Sequence, residues 1–180
     1  ALHMSRLQGI VRSLHAFDLS PRELFSRTNQ LISRDLERRS FVTALGGFFD
    51  TDRLTMVLAR AGHLPLYVYR HRTTEVDRVL PRGLGFGLST RPMFDLELEE
   101  QTLGYEVGDV FLFVTDGVTE CQDGQGEFYG EERLQQSLAA EAPRQTTAVA
   151  LRDVLEADLR RFVGDTDAFD DQTIVVVRAV

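Results

Sequence analysis

Acidic residues stand at the ends of two predicted strands. Asp116 follows the apolar run Val110–Val114. Asp170 and Asp171 come just before the last apolar run, Thr173–Val177. If these strands are antiparallel neighbours, the end of one and the start of the other lie at the same edge of a sheet. Carboxylates brought together there repel each other, and a hard divalent cation removes that cost. The pattern therefore predicts an oxygen-ligand site for Mg²⁺ or Mn²⁺.

A second interpretation of these residues stays open, because Asp-Gly and Asp-Asp are also ordinary turn residues at strand ends. The other reactive side chains are few. Cys121 is the single Cys, which excludes an intramolecular disulfide and a thiolate zinc cage. His63 is a candidate general base, but we expect it to have a structural role in its Ala-Gly-His-Leu-Pro stretch.

The composition excludes several classes of function. The chain has 180 residues, which predicts one domain, and 43% of them are hydrophobic. Its 28 acidic and 20 basic residues give a net charge of −8, which argues against nucleic acid as a partner. Every basic residue is Arg, and the absence of Lys excludes a Walker A loop and Schiff-base chemistry. The sequence shows neither a signal peptide nor a membrane span, which predicts a cytoplasmic location and no membrane partner.

The elements that must position the acidic residues follow from hydrophobic periodicity and turn signals. They are helices near 2–17 and 20–38, strands near 41–49, 54–60, 66–70, 76–80, 94–98 and 110–114, helices near 130–140 and 146–163, and a strand at 173–177. Phe94, Leu96 and Leu98 alternate with acidic residues, which predicts a half-buried strand. Strands joined by hairpins indicate an α+β fold with antiparallel sheets.

Five stretches in order resemble the SpoIIE/RsbU branch of PPM-type serine/threonine phosphatases. Thr115–Glu120, preceded by Gly108–Val114, is similar to that branch's "GD-apolar-TDGVTE" signature. The other similar stretches are Phe41–Ala44 ("FVT"), Ala61–Pro65 ("AGHxP"), Phe128–Leu134 ("FGxERL") and Asp170–Thr173 ("DDxT"). The resemblance covers about residues 5–178.

The resemblance implies a four-layer α-β-β-α sandwich, with two antiparallel sheets flanked by helices. It also implies hydrolysis of phosphoserine or phosphothreonine in proteins by water activated at two Mn²⁺ or Mg²⁺ ions. By motif match, Asp116 and Asp170 are carried over as metal ligands. Asp171 is the second choice in its pair, expected instead to shape the start of the strand.

The chain departs from the family pattern at its beginning. Two motifs that precede the first long helix in the family, similar to "GGDxxD" and "DxSGHG", do not occur here, and the second supplies the aspartate that bridges both metals. Either the chain is N-terminally incomplete or the protein lacks the site. A first helix without a start signal favours incompleteness. We therefore expect residues 1–180 to form one SpoIIE/RsbU-like domain without its opening strands, with weak or no activity alone.

The resemblance also implies a biological setting. The expected substrate is a phosphorylated STAS-type anti-sigma-factor antagonist, and the chain would be the output module of a bacterial signalling protein, as in two-component and sigma-factor regulation. An upstream receiver or sensory domain is expected, with a possible homodimer formed through the full-length protein. Two alternatives remain: a pseudophosphatase that serves as a protein-binding module, and a generic metal-binding α+β domain.

Overall fold

A computed structural model describes residues 2–34, 36, 40–164 and 170–180. This part of the chain forms six helices and seven strands. In chain order they are α1 (Leu2–Leu14), α2 (Pro21–Ile32), β1 (Ala44–Asp50), β2 (Thr55–Ala61), β3 (Leu66–Tyr69), β4 (Val76–Val79), α3 (Met93–Glu97), β5 (Glu100–Gly104), β6 (Val110–Val114), α4 (Asp116–Thr119), α5 (Gly130–Glu141), α6 (Ala148–Val163) and β7 (Ile174–Arg178).

The first of two compact units comprises residues 1–63 and 80–104 and carries a three-stranded antiparallel sheet in the order β1-β2-β5. Its α2 begins at a capping box. The Ser20 hydroxyl accepts a hydrogen bond from the Glu23 backbone N–H, and the Glu23 carboxylate accepts one from the Ser20 N–H. Phe25 of α2 packs edge-on against Phe86 in the core of this unit.

The second unit comprises residues 64–79 and 105–180 and carries a four-stranded antiparallel sheet in the order β4-β3-β6-β7. Its helices are α4, α5 and α6. The sheet and helices share one apolar core, which includes Tyr67 and Leu112 from strands and Leu138, Leu151 and Leu155 from helices. The strand that precedes Asp116, β6, is therefore fixed by pairing with β3 and β7 and by its buried side chains.

These observations confirm the α+β fold with two antiparallel sheets and both predicted hairpins, β1–β2 and β3–β4. Helix α2 ends at Ile32, before the predicted end near Arg38, a residue that lies outside the described part of the chain.

The predicted strand at 94–98 is wrong. Residues Met93–Glu97 form α3, and the strand begins at Glu100. Phe94 and Leu98 are buried, whereas Leu96 between them is 71% exposed. The apolar spacing that matters is thus the helical i, i+4 interval and not the alternation of a strand.

Candidate metal centre

The strand pairing on which the predicted site depends is present. β6 and β7 are antiparallel neighbours, and their register ends with Val114 opposite Ile174. Asp116 comes two residues after the end of this register, and Asp170 lies on the β7 side of the same sheet edge. The residues between Asp170 and Ile174 therefore run along the turn that carries Asp116.

Thr115 extends this pairing by one residue beyond the strands. Its backbone N–H donates to the Thr173 carbonyl at 3.2 Å. Its hydroxyl donates to the Asp171 carbonyl at 3.1 Å and accepts from the Thr173 N–H at 2.9 Å. The three hydrogen bonds fix the backbone on both sides of the candidate site.

Gly117 allows the two acidic stretches to meet backbone to backbone. A Cβ on Gly117 would lie 2.5 Å from the Asp171 carbonyl oxygen and 3.4 Å from the Asp170 carbonyl carbon. A side chain at this position would therefore collide with the chain that carries Asp170. The approach places Asp116 and Asp170 at one locus on the sheet edge.

Each carboxylate is oriented by its own local backbone. One oxygen of Asp116, Oδ1, accepts from the Gly117 N–H at 3.1 Å. Asp170 Oδ1 accepts from the Asp171 N–H at 2.7 Å, so Asp171 contributes to the site through its main chain. These contacts agree with the expected division of roles between Asp170 and Asp171, which remains a prediction.

The donor atoms fit a hard divalent cation in kind, because carboxylate oxygens are the ligands that Mg²⁺ and Mn²⁺ prefer. They fall short in number. Within the described residues, no group of three or more His, Cys, Asp or Glu side chains is placed to hold a metal ion. Asp116 and Asp170 therefore remain predicted ligands.

The remaining candidates from the sequence are His63 and Cys121, and among the described residues the Nδ1 atom of His63 is buried without a hydrogen-bond partner. The His63 carbonyl accepts from Arg60 Nη1 at 2.7 Å, and Arg60 Nε donates to the Pro81 carbonyl at 2.7 Å. Cys121 is buried, and its thiol donates to the Val118 carbonyl at 3.2 Å. Burial raises the pKa of the Cys121 thiol, which favours its neutral form.

Sequence reasoning missed the part that Asp109 plays. This side chain is buried and accepts from Arg70 Nη1 at 3.1 Å, from the His71 N–H at 2.8 Å and from the Glu106 N–H at 3.2 Å. It thereby ties the turn before β6 to the turn after β3. The available signal was an Asp directly before a wholly apolar strand, where an unpaired carboxylate would be costly.

Gly108, the residue before Asp109, is at a position where the backbone geometry and the available space favour glycine. Gly108 has a φ of +96°, and a Cβ there would lie 2.7 Å from a ring carbon of His71. Gly108 and Asp109 therefore support the start of β6, whereas Asp116 follows the other end of that strand.

In the described part of the chain, no helix has the length and apolar character needed to cross a membrane.

Comparison with solved structures shows the fold. The SiaA-PP2C domain of Pseudomonas aeruginosa superposes with a TM-score of 0.82 at 21% identity, covering 99% of this chain and 68% of that one. The phosphatase domain of the cell fate determinant SpoIIE from Bacillus subtilis, presoaked with Mn, gives 0.61 at 17% identity, covering 98% and 73%. The chain therefore has the PP2C-like fold of these solved domains.

Sequence comparison identifies the family to which the chain belongs. The model of the family "Stage II sporulation protein E (SpoIIE)" matches residues 1–180, so the chain belongs to the SpoIIE family. The phosphoserine phosphatase RsbU of Bacillus subtilis strain 168 is 25% identical over 178 residues, which cover 99% of this chain and 51% of that protein. The chain thus spans about half the length of this relative.

Proposed function

We propose that this chain is the phosphatase module of a longer bacterial regulator, and that the module removes phosphate from phosphoserine or phosphothreonine in a protein. The proposal is supported by the family, by the fold and by its similarity to a protein named as a phosphoserine phosphatase. The observation that carries it is the approach of Gly117 to Asp171, which brings two acidic positions to one sheet edge.

In this proposal Asp116 and Asp170 are ligands of Mn²⁺ or Mg²⁺, with two ions in the complete site. Such ions lower the pKa of bound water and neutralise charge on phosphoryl oxygens. The chain's own contribution is positioning. Thr115 holds the two strand ends in register, and the Asp171 N–H orients the Asp170 carboxylate.

The finer assignments extend the same proposal. The substrate is a phosphorylated STAS-type anti-sigma-factor antagonist, and its dephosphorylation changes sigma-factor availability. In this proposal the full-length protein is cytoplasmic, carries an upstream receiver or sensory domain, and is capable of forming a homodimer. The similarity to a protein named phosphoserine phosphatase RsbU supports the phosphoprotein substrate, and the finer setting is part of the proposal.

A second candidate is a pseudophosphatase that keeps the fold and binds a partner protein. It is favoured by the incomplete ligand set, since the described residues offer no third side chain to a cation. Retention of both Asp116 and Asp170 favours the enzyme, because a lost site need not keep them.

The experiment that separates these candidates measures phosphate release with Mn²⁺ from p-nitrophenyl phosphate and from a phosphoserine protein. It compares the 180-residue chain with a version that includes any encoded residues before Ala1. We expect weak or no activity from the chain and robust activity from the longer version. Equal robust activity in both would contradict the expected dependence on a missing ligand.

Variants assign the ligands. In the longer version, Asp116→Asn and Asp170→Asn should each lower kcat at least about a hundredfold, because a lost carboxylate weakens the hold on an ion. Asp123→Asn is the matched control. Asp123 lies in a turn of the same unit, where its Oδ1 accepts from two backbone N–H groups, a role that Asn can keep. If Asp116→Asn and Asp170→Asn are as active as this control, the two residues are not ligands.

A further inference from the structure

An open groove lies between α5 and α6 of the second unit, with a volume of about 450 Å³. We call it the α5–α6 groove. Its walls include Arg133, Gln136 and Ser137 from α5, and Asp158, Arg161 and Phe162 from α6. The groove plays no part in the metal centre described above.

The only carboxylate among these wall residues is already engaged. Asp158 Oδ2 accepts from the Ser137 hydroxyl at 2.6 Å and from the Tyr129 hydroxyl at 2.8 Å. Although burial opposes it, these hydrogen bonds lower the pKa of Asp158, which stays charged. Tyr129, Ser137 and Asp158 thereby lock the base of α5 to α6.

The guanidinium of Arg133 lies over two aromatic rings. Its guanidinium carbon lies 4.2 Å from the centre of the Phe162 ring and 5.8 Å from that of Tyr129. Arg133 forms no close ion pair with a carboxylate of the described residues, although its charge helps to lower the pKa of Asp158 in the same groove. Stacking through the face of a guanidinium leaves the N–H groups at its edge available, in a geometry that matches a planar carboxylate.

Arg161 adds a second cation to the same groove. Its Nη1 lies 3.3 Å from Asp158 Oδ1, and its side chain is 77% exposed, so the pairing is solvent-screened and easily shared. The lining residues carry two positive charges and one negative charge, in a chain whose net charge is −8. The groove is thus a locally basic surface on an acidic protein.

We propose that the α5–α6 groove is a docking surface for an acidic segment of a partner protein, in which Arg133 and Arg161 each bind a carboxylate. The stacked Arg133 is pre-organised for this contact and loses little rotamer freedom when it binds. The volume of the groove exceeds the space that one carboxylate or phosphoryl group fills, which favours an extended segment. This docking does not depend on phosphatase activity.

The test uses the 180-residue chain and two peptides of twelve residues that differ only in four Glu or four Gln. Amide chemical shifts of the ¹⁵N-labelled chain locate and measure binding at low and high salt. We expect the Glu peptide to shift amides of α5 and α6, to weaken as salt rises, and to bind more tightly than the Gln peptide. Shifts confined to other elements, or equal binding of both peptides, would overturn the proposal.

Charge reversal tests the two arginines. Arg133→Glu with Arg161→Glu should weaken Glu-peptide binding at least about tenfold, since each reversal replaces attraction by repulsion. The matched control is Arg72→Glu with Arg152→Glu, which changes net charge equally at two exposed arginines of the same unit. An equal loss in the control would show attraction to overall charge and refute the groove.

Two further arms complete the design. The neutral pair Arg133→Gln with Arg161→Gln serves if the reversed pair is less folded by circular dichroism, and it should also lose binding. A peptide with one phosphoserine and no Glu should bind more weakly than the Glu peptide. Tighter binding of the phosphoserine peptide at α5 and α6 would make the groove a phosphate site instead.

Discussion

Gly117 has a role that only the absence of a side chain can fill. Its Cα faces the main chain of Asp171 so closely that any Cβ would lie 2.5 Å from a carbonyl oxygen. The neighbouring atom is backbone within a hydrogen-bonded sheet edge, so it has little freedom to move away.

We therefore expect Gly117→Ala to lower the free energy of unfolding by about 1–3 kcal/mol, the range typical of overpacking. Urea denaturation followed by circular dichroism measures it. Gly124→Ala is the control, because nothing lies within 4 Å of a Cβ at Gly124, and its effect should stay within about 0.5 kcal/mol. Equal stability of the two variants would mean that the edge yields easily.

Asp109 gives a second prediction at this scale. Asp109→Ala removes the acceptor of two backbone N–H groups, His71 and Glu106, and should cost about 2–4 kcal/mol of unfolding free energy. Asp77 is the other carboxylate that pairs with Arg70, and its side chain is 47% exposed. Asp77→Ala should therefore cost less than about 1 kcal/mol of unfolding free energy. Chemical denaturation of both variants compares them, and a larger loss at Asp77 would contradict this ranking.

The sequence predicted the two strand ends that carry Asp116 and Asp170, but not the contacts that support them. Asp116 and Asp170 could be placed at one edge because apolar runs reveal strands and an antiparallel pair brings particular ends together. The closeness of Gly117 to Asp171 and the acceptor role of Asp109 depend on which backbone atoms meet in space. A single sequence does not specify such distances.

Among the elements, β4 and α5 are joined by one ion pair. Arg78 Nε of β4 donates to Glu131 Oε2 of α5 at 2.8 Å. The hydrogen bond from Arg78 holds the pKa of Glu131 below its ordinary value of 4.5. A carboxyl whose pKa is lower in the folded state adds stability above its ordinary pKa, and that stability disappears as pH falls through the folded value.

We expect the unfolding free energy of the unmodified chain to drop more steeply than that of Glu131→Gln as pH falls below about 4.5. Urea titrations at a series of pH values between about 3 and 7 would show the two curves converging at the acid end. Arg78→Gln should flatten the curve in the same way. Parallel curves for the unmodified chain and for Glu131→Gln would refute a stabilising pair.

The misassigned element shows where sequence patterns fail. Five residues with alternating polarity fit a strand, but positions 94 and 98 are also one helical turn apart. Burial of Phe94 and Leu98 with exposure of Leu96 selects the helix, and that selection comes from tertiary packing. Longer patterns, such as the apolar face of α6, contain several turns and leave less room for error.

At the scale of the whole chain, each of the two units has its own apolar core, and the candidate metal ligands lie in the second unit. Both predicted ligands, Asp116 and Asp170, belong to the second unit, as does the α5–α6 groove. The first unit carries the capped helix α2 and a sheet of its own.

This division predicts where Mn²⁺ acts. Binding to the folded state stabilises the elements that hold the ligands. Hydrogen exchange followed by mass spectrometry should show slower exchange with Mn²⁺ in residues 110–119 and 170–178, and no change in β1 and β2. Addition of EDTA should reverse the effect, and Asp116→Asn with Asp170→Asn should abolish it. Slower exchange that persists in this double variant would place the ion elsewhere.

The hydrogen bonds of Thr115 have a consequence for how a cation would bind. The hydroxyl and the backbone N–H of Thr115 together join the ends of β6 and β7, so the backbone beside both candidate ligands is held by the chain's own hydrogen bonds. If Asp116 and Asp170 bind a cation as proposed, we expect little conformational entropy to be lost on binding, so that relief of carboxylate repulsion becomes the main contribution. Metal affinity at such an edge should therefore respond more strongly to ionic strength than to temperature.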